Sequence, residues 1–129
     1  MGAAHLARPV RCGACKAPIG PVAEPIEADA AVFDEVLREA TAPVLVDFWA
    51  EWCGPCRRAA PDVKHTAETM SGRAIVLKVD TEKHPDLAAR YRVESIPLFL
   101  VLKNGLVVSQ QAGAVGHAQM TRWLEAAGA

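Results

Sequence analysis

The stretch from residue 44 to 56, "VLVDFWAEWCGPC", constrains the fold more than any other. Its first part is a short apolar run that follows Pro43, and its length and β-branched content read as a strand buried on both faces. After Cys56, the positions Ala59, Ala60, Val63, Ala67 and Met70 keep helical spacing up to Ser71-Gly72, with Pro61 as an interior kink. A buried strand running into a helix is half of a strand-helix-strand unit. The two cysteines sit at the junction.

The rest of the chain extends that unit. Phe33, Val36, Leu37 and Ala40 recur at helical spacing, with Asp29 in position to cap the helix. "AIVLKVD" (74 to 80) reads as a second buried strand, followed by a short helix with Pro85 in its first turn and Leu87, Ala88 and Tyr91 on one face. "PLFLVL" (97 to 102) and "LVVSQQ" (106 to 111) flank Asn104-Gly105, a strong hairpin signal. Met120, Trp123, Leu124 and Ala127 mark a closing helix, and a first edge strand falls near 22 to 27. Alternation first and a hairpin last predict an α/β fold: a central mixed sheet of four to five strands flanked by helices on both faces. With 129 residues, the chain has room for one such core and not for two.

Cys53 would lie at a helix N-terminus, where unpaired backbone N–H groups and the helix dipole favour a thiolate. Cys56 would lie one turn inside, close enough for the two sulfurs to bond. Spacing alone leaves a zinc half-site, or two buried core thiols, about as plausible as redox chemistry. The surroundings shift the balance. Asp47 interrupts an apolar strand six residues before Cys53, where desolvation should raise its pKa, unless it sits at a solvated strand end. Lys78 holds a similar place in the neighbouring strand and is a candidate partner for it. Pro97 heads a strand; on its own it reads as an ordinary strand-start proline.

Together, "VLVDFWAEWCGPC", Pro61, "LKVD" (77 to 80), "SIP" (95 to 97), "KNG" (103 to 105) and Gly113-Ala114 resemble the thioredoxin family. The resemblance implies the thioredoxin fold over 26 to 129 and a general protein disulfide reductase that needs no cofactor for catalysis. It implies Cys53 as attacking thiolate, Cys56 as resolving thiol, Asp47 as the buried acid/base with Lys78 beside it, and Pro97 as a cis-proline facing the disulfide. A substrate groove is implied at Trp52, Gly54, Pro55, Ile96, Gly113 and Ala114. The implied partners are protein disulfides and an NADPH-dependent thioredoxin reductase. Leu98 departs from the pattern, standing where thioredoxins commonly have Thr, which bears on substrate preference and not on the chemistry.

Residues 1 to 25 read as a separate arm, with Pro9, Pro18, Pro21, Pro25 and the second Cys pair, "RCGACK". It resembles half of the N-terminal zinc ribbon of the bacterial thioredoxin-2 class. Four protein ligands complete a structural zinc site. Cys12 and Cys15 supply two, and His5 is a weak candidate for a third. We therefore expect a truncated ribbon that holds zinc weakly or not at all; a zinc shared between two chains, a free dithiol and a local disulfide are the alternatives. The rival function is a zinc- or redox-responsive binding module.

The remaining composition narrows the partners. A formal net charge of -1 offers no basic field to a nucleic-acid backbone and no polybasic patch to a membrane. No apolar run approaches the roughly 20 residues of a membrane span, and "MGAAHLARPV" has no apolar core of a secretory signal, so a cytoplasmic location is expected. The chain also lacks G-x-G-x-x-G, so electrons from a nicotinamide would have to arrive through another protein.

Overall fold

The computed structural model describes residues 24–129. Cys12, Cys15, His5 and most of the expected arm lie outside the described residues. The elements are β1 (Ile26–Glu27), α1 (Ala30–Glu39), β2 (Val44–Trp49), α2 (Gly54–Thr69), β3 (Ile75–Asp80), α3 (Pro85–Arg90), β4 (Leu98–Lys103), β5 (Leu106–Ala112) and α4 (His117–Ala126). They form a thioredoxin fold: one five-stranded sheet in the order β1-β3-β2-β4-β5, with β1, β3 and β2 parallel and β4 and β5 antiparallel to their neighbours.

The central strands are buried on both faces, so alternate residues feed two cores. Val44, Val46 and Phe48 of β2 pack with Phe33 and Val36 of α1 and Leu87 of α3. Leu45 points to the other side, among Ala59, Val63 and Ala67 of α2 and Met120 and Leu124 of α4. Asp47 follows Leu45 on that second face, which places a carboxyl on the side of the sheet that α2 covers.

Local chemistry sets the element ends. The Asp29 carboxylate accepts the Val32 N–H at 2.9 Å and caps α1, satisfying one of the helix's orphan donors. Asp29→Ala is expected to cost about 1 kcal/mol, measured by denaturant unfolding; no change in midpoint would show the cap to be idle. Asn104 (φ 55°) and Gly105 (φ 80°) both adopt the left-handed conformation that a tight hairpin requires. Pro61 sits inside α2 without ending it.

Candidate functional site

The site lies where the parallel strands β2 and β3 run out and α2 begins, the edge at which open α/β sheets place their chemistry. Cys53 and Cys56 form a disulfide, their Cα atoms 5.3 Å apart. Cys53 is the N-cap of α2, and its Sγ accepts the Cys56 backbone N–H at 3.2 Å. That bond and the helix terminus favour negative charge on this sulfur once the pair is reduced. Each cysteine is only 3% exposed, so position in the helix, and not exposure, distinguishes them.

The Ile96–Pro97 peptide bond is cis. The Ile96 carbonyl oxygen lies 3.8 Å from Cys53 Sγ, which brings this loop against the disulfide. The Gly113 N–H donates to the Pro97 carbonyl at 2.9 Å, tying the end of β5 to the same loop. Trp52 is 69% exposed, a large apolar surface left open beside the cysteines. With Ile96, Val93, Ala88, Thr81, Glu94 and Ser95 it lines a hollow of about 380 Å³. Gly54 and Pro55 are exposed in the first turn of α2, and Gly113 and Ala114 are exposed beyond β5; none of the four lines this hollow.

On the sheet face that α2 covers, Asp47 is 2% exposed, and its Oδ1 has no hydrogen-bond partner among the described residues. Burial pushes its carboxyl up to about 7, against an opposing pull from Lys78 and with a smaller push from Glu27. Asp47 and Lys78 are paired in register on adjacent parallel strands. The Lys78 ammonium instead stands over the Trp49 ring, 4.4 Å from its centroid. Lys78 also lines a second hollow with Arg57, Lys64 and Glu27.

Sequence reasoning missed Glu82. Its carboxylate accepts the Trp52 indole N–H at 3.3 Å across 30 residues of chain. A signal existed: β2 and β3 are parallel neighbours, so the segments following them emerge at one edge, and a carboxylate two residues past β3 falls beside the residues following β2. His65 and His117 stack between α2 and α4 with centroids 3.9 Å apart, and His117 Nδ1 lies 3.1 Å from Thr66 Oγ1. Among the described residues no group of three or more His, Cys, Asp or Glu is placed to hold a metal ion. No helix among them is long and apolar enough to cross a membrane.

Comparison with known proteins agrees with this geometry. The family model "Thioredoxin" matches residues 24–126. The chain is 43% identical over 91 residues to thioredoxin 1 of Chlorobaculum tepidum, covering 70% of this chain and 90% of that protein. It is 40% identical over 95 residues to the chloroplastic thioredoxin Y of Oryza sativa subsp. japonica, covering 74% of this chain and 56% of that one. Among solved structures, a mutant thioredoxin from Halobacterium salinarum NRC-1 superposes with a TM-score of 0.77 at 29% identity, over 83% of this chain and 93% of its own.

Proposed function

The chain belongs to the thioredoxin family of protein-disulfide oxidoreductases, and from that premise we propose that it is a general protein disulfide reductase working through Cys53 and Cys56. The observation that carries this is the redox pair itself, closed as a disulfide at a helix N-terminus beside an exposed tryptophan.

In the reduced protein the Cys53 thiolate attacks one sulfur of a target disulfide. A Cys53–target bond forms, the target S–S bond breaks, and the departing target sulfur takes a proton from water. Cys56 then gives its proton to the Asp47 carboxylate and attacks Cys53; the Cys53–Cys56 bond forms, the Cys53–target bond breaks, and the second target sulfur leaves as a thiolate that takes a proton from water. Two electrons have passed from the pair to the target. A carboxyl with a pKa near neutrality suits this exchange, because it accepts and returns a proton at little cost. Lys78 tunes that carboxyl electrostatically. Pro97 and the Ile96 backbone present an edge to an extended target segment, with Trp52, Gly54, Pro55, Gly113 and Ala114 around it.

The pair is recycled by a flavoprotein thioredoxin reductase that draws on NADPH, and the protein works in the cytoplasm. The Cys12 and Cys15 pair at 1–25 resembles one half of the zinc ribbon of the thioredoxin-2 class, and with two cysteine ligands it should hold zinc weakly or not at all. The domain that does the chemistry is 26–129.

The test is turnover of insulin disulfides with NADPH and a bacterial thioredoxin reductase. Sustained NADPH oxidation is expected. Reduction of insulin by the dithiothreitol-reduced protein, but none with the reductase, would overturn the recycling step alone. Inactivity in both, with an intact Cys53–Cys56 pair, would favour the binding-module reading. Zinc analysis of protein purified under reducing conditions addresses the arm, and one tightly held zinc per chain would overturn the expectation of weak binding.

A further inference from the structure

Two hollows, one lined by Trp52 and Ile96 and the other by Arg57 and Lys78, differ in charge. The hollow beside Trp52 has one ionisable side chain in its lining, the exposed Glu94; its other walls are Thr81, Ala88, Val93, Ser95 and Ile96. A second carboxylate, Glu82, is held near it by the Trp52 indole. Among the described residues no Lys or Arg lines this hollow. Arg57 and Lys64 of α2 line the other hollow together with Lys78, and the Arg58 guanidinium lies over Gly54 in the first turn of α2, outside both linings. Arg92, the cation closest to Glu94 along the chain, lies outside the lining, and Arg90 is engaged with Asp34 at 2.6 Å.

The Ile96 carbonyl stands 3.8 Å from Cys53 Sγ, so a target cysteine reaching that sulfur brings its neighbouring residues over Ile96 and into the hollow. There they meet an apolar floor and a carboxylate that, among the described residues, shares the lining with no cation. We infer that Glu94, supported by Glu82, makes the groove select target segments carrying Lys or Arg next to the reacting cysteine. The inference rests on the reductase reading of the Cys pair. Rim charges of this kind act on encounter and on KM more than on the chemical step, and they weaken with salt.

Two synthetic disulfide-linked peptides test it, identical except for Lys or Glu at the residues flanking the cysteine. Their rates with the dithiothreitol-reduced protein are divided by their rates with dithiothreitol alone, which removes the effect of the flanking charge on the peptide's own sulfur. The corrected ratio is expected to favour the Lys peptide about threefold at low salt, through KM, and to shrink at high salt. Glu94→Gln brings it toward unity and Glu94→Lys reverses it. Equal corrected rates in the unaltered protein, or a preference unmoved by both substitutions, would overturn the inference while leaving the reductase reading intact. Turnover of neither peptide would overturn the reductase reading and the preference with it.

Discussion

Cys53→Ser reduces the rate of protein disulfide reduction to the background without protein, whereas Cys56→Ser keeps the first attack and stalls after it. The expectation rests on where each sulfur sits. Both cysteines are equally buried, so accessibility alone makes no distinction. Cys53 is the N-cap residue, its sulfur takes a backbone N–H at 3.2 Å, and it faces the Ile96 carbonyl. The first two favour a thiolate, and the third sets that sulfur against the loop where a target segment would arrive. Cys56 lies within the helix, on the inner side of the pair. With Cys56→Ser, mass spectrometry after mixing with an oxidised target is expected to find a covalent adduct at Cys53 that dithiothreitol releases. Adduct formation through Cys56 in the Cys53→Ser protein would invert the two roles.

Much of this site was legible because it is local. The Cys pair, the strand before it and the helix after it occupy 26 consecutive residues from Val44 to Thr69, and the hydrophobic pattern alone positions them. Asp47 was legible because a carboxylate in an apolar strand run breaks the pattern. The Asp29 cap and the Asn104-Gly105 turn follow from the chemistry of one or two side chains. The features that stayed hidden depend on the order of the strands. The Trp52–Glu82 bond exists because β2 and β3 are parallel neighbours ending at one edge, and nothing near either residue announces the other. Glu94 gains its meaning only from the loop before Pro97 folding against Trp52. The cis bond at Pro97 was implied by family resemblance, whereas the residue alone, heading a strand, suggested an ordinary trans proline. Leu106, Val107 and Val108 read as a strand and form one, yet they are exposed, because β5 is an edge strand.

Asp47 should also set how stability depends on pH, and in the direction opposite to a salt-bridged carboxylate. Burial raises its carboxyl from 3.8 to about 7, with Lys78 opposing and Glu27 adding to the shift. Below 3.8 the side chain is neutral in both the folded and the unfolded chain. Between 3.8 and about 7 the unfolded chain releases the proton while the folded chain keeps it, so stability falls as pH rises; above about 7 the loss is complete. At about 1.4 kcal/mol per unit, the full penalty is on the order of 4 kcal/mol. Asp47→Asn removes the titration and keeps the shape. Its stability relative to the unaltered protein is expected to rise by about 3 kcal/mol between pH 4.5 and pH 8, read from denaturant unfolding at the two values. A difference that does not change with pH would show that the carboxyl is not the titrating group. Retaining so unfavourable a buried acid makes sense if the reaction uses it, since strained or charged groups at active sites trade stability for function. The same variant should therefore release target more slowly from the Cys53 mixed disulfide near pH 7, with little change in the first attack. Extra stability without that slower release would leave Asp47 a destabilising residue and remove it from the mechanism.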